Sequence, residues 1–293
     1  MAGHTTGAVV VTGASTGIGR ATALQLDKAG YTGFAGVRTQ KDAVALKKDA
    51  SEKLTPLTLD VTKSRSIKAA EQRVRRAVGK EGLVGLVNNA GIGFGGPVEY
   101  IPLDDYRRSF EVNYFGQIAV TQAFLPLLRR ASGTIVNIAS IGGRIASPFL
   151  SPYSGSKFAL EALSDALRRE LKPWGIEVVA VEPGSIATPI WEKAGETATA
   201  ATAAMPAEGR RLYGAQLERV GKLLEKTAKG GIPPKRVAQT IHKAIQKDRP
   251  KPRYLVGIDA KIAARMNAVL SDRGFDRMLE RRTKLPKEAP PGR

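Results

Sequence analysis

The run Val9-Val10-Val11 leads straight into Thr12-Gly13-Ala14-Ser15-Thr16-Gly17-Ile18-Gly19 and then into the helix-forming stretch 20–29. No other feature restricts the fold as much. Three β-branched residues in a row suit a short strand, the glycines a tight turn, and the residues after them a helix. Glycines let a backbone come close to a pyrophosphate, and the free N–H groups and positive end of the following helix favour an anion. The spacing is G-x-x-x-G-x-G, which differs from the general dinucleotide pattern G-x-G-x-x-G. Taken alone it also fits a tight βα turn that binds nothing.

The rhythm of strand and helix continues along the chain. Strands are predicted at 9–12, 32–37, 55–59, 83–87, 134–139, 177–181 and 253–256, several of them apolar throughout, as strands buried on both faces should be. Helices are predicted to start near Gly17, Asp42, Ser64, Leu103, Ser151 and Lys235. This alternation predicts an α/β fold: a doubly wound, Rossmann-like parallel sheet of about seven strands with helices on both faces. At 293 residues such a sheet is commonly one domain, so residues 1–293 are expected to form a single catalytic, dinucleotide-binding unit. Residues 186–234 break the rhythm with an alanine- and threonine-rich segment, 197–204, and a helical stretch around Leu212, Leu217, Val220 and Leu224. Residues 284–293, with Pro286, Pro290 and Pro291, read as a disordered solvated tail.

Chemistry enters at Tyr153-Ser154-Gly155-Ser156-Lys157. A tyrosine and a lysine four apart share a helix face, and an ammonium beside a phenol lowers its pKa from near ~10. With Ser140 thirteen residues upstream, the pair points to proton transfer. The same spacing also describes a buried tyrosine next to a solvated lysine.

Thr12 to Gly19, Asn88-Asn89-Ala90-Gly91, Asn113, Ser140, Tyr153 with Lys157, and Pro183-Gly184 occur in the order and spacing of the short-chain dehydrogenase/reductase family. The chain resembles that family from about residue 8 to about residue 260. Gly142-Gly143-Arg144, Ser151-Pro152-Tyr153, Glu161-Ala162-Leu163-Ser164-Asp165 and Val181-Glu182-Pro183-Gly184 look like its branch of retinol, hydroxysteroid and 3-hydroxybutyrate dehydrogenases.

The resemblance implies an oxidoreductase that moves a hydride between a nicotinamide cofactor and an alcohol or ketone. Tyr153 would supply the proton, Ser140 would hold the carbonyl oxygen, and Lys157 would lower the tyrosine pKa and grip the nicotinamide ribose. Asn113 would hold a water in a relay to Lys157; Asn113 and Ser140 could also simply satisfy backbone groups. Cofactor contacts are expected from Gly13, Ser15, Thr16, Gly17, Ile18 and Gly19, from Asp60 and Val61, from Asn88, Ala90 and Gly91, and from Pro183, Gly184, Ile186 and Thr188. Asp60 also reads as a helix-start turn residue. Residues 186–234 would be a substrate-covering lobe, or a surface helical hairpin. Residues 159–171 look like the helix that relatives pair across a homodimer or homotetramer interface, or a helix buried within one chain.

Charge points to the cofactor. The second strand ends Gly36-Val37-Arg38-Thr39, with no carboxylate to accept bonds from the ribose hydroxyls of NAD, while Arg38 can pair with the extra phosphate of NADP. NADP is therefore preferred over NAD. Phe94, Ile141, Phe149, Leu150, Ile190 and Trp191 are expected near the tyrosine or on the lobe, an apolar wall suited to a bulky steroid- or retinoid-like substrate. Arg144 lies close to Ser140 in sequence and is expected to be structural or solvated. If it faced the pocket, it would favour a small hydroxy acid in an NAD(H)-dependent enzyme.

Other classes are less well served. With no cysteine there is neither a disulfide nor a thiolate metal site, and His4 and His242 are too few and too separated for metal; both are expected at the surface. No apolar run is long enough to span a bilayer, and few residues precede the first strand, so a soluble cytoplasmic protein without a signal peptide is expected. The net charge of +19 attracts nucleic acid or anionic surfaces, and residues 206–293 hold 22 Lys and Arg against 9 Asp and Glu. These cations are scattered and carry no interleaved aromatic patch, so specific nucleic-acid binding is not expected. A nucleotide-sensing binding protein without turnover is the remaining alternative.

Overall fold

Val9 and Val11 enter one core and Val10 the other, so the first strand, β1 (Ala8–Val11), is covered on both faces. In a computed structural model, which describes residues 3–283, six further strands join it: β2 (Thr32–Val37), β3 (Leu54–Thr58), β4 (Gly85–Asn88), β5 (Thr134–Ile138), β6 (Glu177–Pro183) and β7 (Arg253–Val256). All pairings are parallel, in the order β3-β2-β1-β4-β5-β6-β7. This is a doubly wound, Rossmann-like sheet, and its order reverses between β1 and β4, where ligand crevices open in such folds.

The helices are α1 (Gly17–Lys28), α2 (Gln40–Lys47), α3 (Ser64–Val78), α4 (Leu103–Phe110), α5 (Gly116–Ala131), α6 (Ser151–Glu170), α7 (Pro189–Ala204), α8 (Ala207–Lys229), α9 (Pro234–Gln246), α10 (Ile258–Val269) and α11 (Asp272–Thr283). Leu26 of α1 and Val237, Ile241 and Ile245 of α9 pack with Val9 and Val11. On the other face, Ile67 and Val74 of α3 and Val120, Phe124 and Leu127 of α5 pack with Val10 and Leu86. Such full burial is worth roughly 1.5–3 kcal/mol for each large aliphatic side chain, which makes these two layers the main support of the sheet.

Strand boundaries differ from the sequence reading by two residues or fewer. Predicted strand residue Leu83 instead sends its N–H to the carbonyl of Leu127 at the end of α5. α2 begins at Gln40 because the Thr39 hydroxyl accepts the N–H of Asp42, an N-cap two residues earlier than expected. The interval 186–234 holds α7 and α8. Neither histidine is a surface residue: His4 contacts the Ser132 carbonyl at 3.2 Å, and half-buried His242 meets the Tyr31 ring edge-on at 5.7 Å. His242 packs on Tyr31, the residue before β2, and follows the core residue Ile241 on α9. The predicted tail 284–293 lies outside the described residues. Among those described, no helix is long and apolar enough to cross a membrane.

Candidate active site

The turn after β1 is built to receive an anion. Thr16 precedes α1 in extended conformation, its side chain caps none of the first N–H groups, and no acidic residue lies in the first turn. Those donors and the positive end of the helix are therefore available to a ligand. Gly17 has φ +56°, and a Cβ there would come within 3.2 Å of Thr188 Cγ2. At Gly19 a Cβ would lie 2.3 Å from both the Gly13 oxygen and Asn89 Nδ2, so only glycine lets the helix start this close to the strand.

Asn89, which sequence reasoning left unassigned, fixes the turn. Its Nδ2 donates to the oxygens of Thr12 (2.9 Å) and Gly13 (3.1 Å), while Thr12 Oγ1 accepts the N–H groups of Asn89 (2.9 Å) and Ala90 (3.0 Å). The loops after β1 and β4 are thereby stitched together across the point where the sheet order reverses. Its signal in the sequence was its position between Asn88 and Ala90.

Along the carboxyl ends of the strands runs a cleft of about 950 Å³, within the usual range of ligand sites. It is lined by Gly13, Ser15, Thr16, Gly17 and Ile18, by Arg38, Asp60 and Val61, by Ala90 and Gly91, and by Pro183, Gly184, Ile186 and Thr188. Two predicted cofactor residues are not among the lining. Gly19 is packed behind the turn, and Asn88 is buried in the sheet, where its Nδ2 donates to Thr121 Oγ1 and Asn137 Oδ1, both at 2.9 Å.

At one end of the cleft Arg38 follows β2, exposed, with no hydrogen bond or ion pair to another described residue. Asp60 lies beside it. Burial pushes its carboxyl up, but hydrogen bonds from Thr62 N (3.0 Å) and Oγ1 (2.7 Å), with the charges of Lys63 and Arg38, hold it below its ordinary value. Asp60 is thus both a turn residue and part of the cleft wall.

At the inner end, β5 and α6 bring Ser140, Tyr153 and Lys157 together, all buried and all lining the cleft. Tyr153 and Lys157 stand on the first two turns of α6, while Ser140 follows β5 and its Oγ accepts the N–H of Gly142 at 3.0 Å. Burial pushes the Tyr153 phenol up from its ordinary value, and a hydrogen bond with Ser140 pulls it down. The expected lowering by Lys157 is not the dominant effect: the ammonium lies 5.9 Å from the ring centroid and donates to the oxygen of Ile138 at 2.7 Å. Burial lowers the Lys157 pKa to about 8, against the attraction of Glu161. Asn113, in a π-type turn between α4 and α5, accepts the N–H of Ile92 (2.8 Å) and donates to the Ile92 oxygen and Ser156 Oγ, both at 3.0 Å. It fixes the 91–94 loop, and its Oδ1 lies 3.3 Å from where a Cβ of Gly91 would stand, with Lys157 Nζ 3.8 Å from the same point.

Beyond the tyrosine the wall carries large apolar side chains, with Glu196 of α7 also lining the cleft. Phe94, Ile190 and Trp191 line the cleft, and the Trp191 ring at the start of α7 meets Tyr153 edge-on at 6.0 Å. Ile141, Phe149 and Leu150 do not line it: Phe149 turns to Tyr213 of α8 at 6.4 Å, and Leu150 packs over Gly95. Arg144 points away from the cleft onto Glu182, with Nε 2.8 Å from Oε2 and Nη2 2.9 Å from Oε1. The arrangement can polarise a carbonyl oxygen and deliver a proton to it beside an apolar surface.

Residues 7–199 match the family described as short chain dehydrogenase. Over 260 residues the chain is 39% identical to retinol dehydrogenase 5 of Mus musculus, covering 87% of this chain and 81% of that protein. It is 44% identical over 209 residues to 17-beta-hydroxysteroid dehydrogenase type 6 of Bos taurus, covering 70% and 66%. Among solved structures, a short chain dehydrogenase from Burkholderia cenocepacia J2315 in complex with NADP superposes with a TM-score of 0.71 at 26% identity, covering 96% of this chain and 98% of that one.

Proposed function

The chain belongs to the short-chain dehydrogenase/reductase family, in its retinol and hydroxysteroid branch, and is an NAD(P)-dependent oxidoreductase; on that premise we propose that it moves a hydride between NADP(H) and a bulky apolar secondary alcohol or ketone. The observation that carries this reading is the buried set Ser140, Tyr153 and Lys157 at the inner end of a cleft that begins at an uncapped helix N-terminus.

The cleft fits a dinucleotide by its own construction. The glycine turn leaves the first N–H groups of α1 for a pyrophosphate, Arg38 is unpaired among the described residues where the 2′-phosphate of NADP would lie, and Pro183, Gly184, Ile186 and Thr188 would flank the nicotinamide. The NADP complex of the Burkholderia structure supports the same choice. When bound, the cofactor supplies or accepts the hydride.

This chain's residues manage the oxygen. As hydride adds to a ketone carbon, negative charge grows on its oxygen; the Ser140 hydroxyl donates to that oxygen and the Tyr153 O–H gives up its proton to it. The Lys157 ammonium stabilises the phenolate left behind. A phenol pushed up by burial is a reluctant acid, so the cation matters most after the proton has left. Asn113 holds the 91–94 loop and Gly91 against Lys157. Trp191 and Ile190 make α7, with α8 behind it, a cover that keeps water from the reacting carbon. Exposed Phe115 and Phe158, just before α5 and on α6, support pairing of two chains through these helices.

The experiment is turnover of a panel of carbonyls and alcohols with NADPH and NADH, NADP and NAD. Activity confined to NAD(H), or no turnover with any member, overturns the proposal.

A further inference from the structure

Lys157, Glu161 and Asp165 follow one another at i, i+4 and i+8 on α6, a single row that starts at the cleft and ends at half-buried Asp165. Glu161 is 8% exposed and Glu182, on β6, is fully buried. Arg253 of β7 holds the row in place: its Nε lies 2.9 Å from Glu161 Oε2 and 3.4 Å from Glu182 Oε1, and its Nη2 lies 2.9 Å from Asp165 Oδ2. Arg144, from the turn after β5, occupies both oxygens of Glu182, and Arg168 of α6 reaches Asp165 Oδ1 at 3.1 Å. Glu182 is therefore shared between two arginines and Asp165 among three, since Arg169 Nη2 lies 3.9 Å from its Oδ2. Glu161 has only Arg253 among the arginines and faces the Glu182 carboxyl; its Oε1, like Glu182 Oε2, is buried and accepts no hydrogen bond from a described residue.

We propose that Glu161 is a positioning residue for Lys157: its carboxylate, one helical turn further along α6 and anchored by Arg253, keeps the catalytic ammonium charged in a site whose burial favours the neutral amine. The inference rests on the role given to Lys157 above. Both residues pack on the 141–143 turn: a Cβ at Gly143 would stand only 2.9 Å from the Lys157 main-chain oxygen and 3.2 Å from Glu161 Cγ. The charges on the two groups agree with this arrangement. Burial lowers Lys157 to about 8 while Glu161 opposes the shift, and burial, then Glu182, lift Glu161 to about 7 against the pull of Arg253. Burial thus works against the charge on both groups, and the charge of each favours the charged form of the other.

The test is the pH profile of kcat/KM for ketone reduction. The wild-type rate falls on the alkaline side as Lys157 loses its proton, and in Glu161→Gln that limb should move to lower pH by about one unit, the effect of losing one nearby opposite charge. Glu161→Asp, which keeps the charge, should bring the limb back toward wild type. An even loss of rate at every pH with the limb unmoved marks a purely structural residue and overturns the proposal. Should Glu161→Gln fail to fold, Arg253→Gln asks the same question: without its anchor the Glu161 carboxyl stays protonated to higher pH, and the limb should shift the same way. Lys157→Met is measured alongside. If it keeps full activity, the catalytic reading fails and this inference with it; if it is inactive while Glu161→Gln and Arg253→Gln keep the wild-type limb, Glu161 alone is misassigned.

Discussion

Lys157 Nζ donates to the main-chain oxygen of Ile138 at 2.7 Å, so the ammonium on α6 is held by the strand that leads to Ser140 two residues later. The three side chains proposed to carry the chemistry are thereby set by one strand end and one helix start. Tyr153→Phe removes only the hydroxyl from this frame, so fold and cofactor affinity should persist. Turnover should fall by at least ~10², as for a lost general acid. Steady-state rates with NADPH, beside a titration of cofactor fluorescence, check both halves; an active phenylalanine variant rules out the tyrosine mechanism.

Arg38 has no ion-pair partner among the described residues and stands over the cleft beside Asp60, whose carboxyl its charge helps to keep ionised. Replacing it with alanine should weaken NADP(H) by about 1.5–3 kcal/mol, the range for a hydrogen bond to a charged group, and leave NAD(H) nearly untouched. Dissociation constants for all four cofactor forms decide this. Equal losses for both phosphorylated and unphosphorylated forms mean that Arg38 does not read the phosphate.

Gly19 is predicted to be indispensable for packing, although it does not line the cleft. An added methyl would sit 2.3 Å from both the Gly13 oxygen and Asn89 Nδ2, the two groups that fix the turn after β1. Gly19→Ala should cost about 1–3 kcal/mol of stability, the usual cost of overpacking, and weaken cofactor binding along with it. Denaturant unfolding with and without NADPH measures the two effects, and a variant as stable as wild type excludes the close approach.

The residues that could be read from the sequence are those whose roles are local. The valine run, the glycine turn and the Tyr153–Lys157 spacing each lie within a few consecutive residues, and the periods of strand and helix placed them correctly. Arg144 could be recognised as a cation near Ser140 but not as the partner of Glu182, because the two are 38 positions apart and meet only when β5 and β6 pair. Arg253 and Glu161 are separated by 92 positions, and nothing in either neighbourhood announces the other. Asn88 and Asn89 show the same limit at its smallest: adjacent residues of one motif point to opposite sides of the strand end, one into the sheet and one into the turn.

Glu161 also gives a stability prediction whose sign follows from its raised pKa. The folded value is about 7 against an ordinary 4.5, so its contribution is fully present below pH 4.5 and is lost as pH rises toward about 7. Lys157, lowered from 10.5 to about 8, changes stability only above that window. The wild-type Tm should therefore decline between about pH 4.5 and 7, and Glu161→Gln should lack that part of the decline. Parallel Tm curves for the two proteins across this range contradict the assignment.

Substrate choice follows from what Arg144 is no longer free to do. A short keto acid needs a cation for its carboxylate, and the one arginine close to Ser140 in sequence is held by both oxygens of a fully buried Glu182. Freeing it would leave that buried carboxylate with only the longer contact to Arg253, 3.4 Å from Oε1, a cost that binding one small anion does not offset. Phe94, Ile190 and Trp191 instead offer apolar surface beside Tyr153. A bulky hydrophobic ketone should accordingly exceed acetoacetate in kcat/KM by at least about tenfold, the lower end of what apolar contacts discriminate. A large advantage for acetoacetate would mean that Arg144 leaves Glu182 when substrate binds, and Arg144→Gln should then abolish the preference.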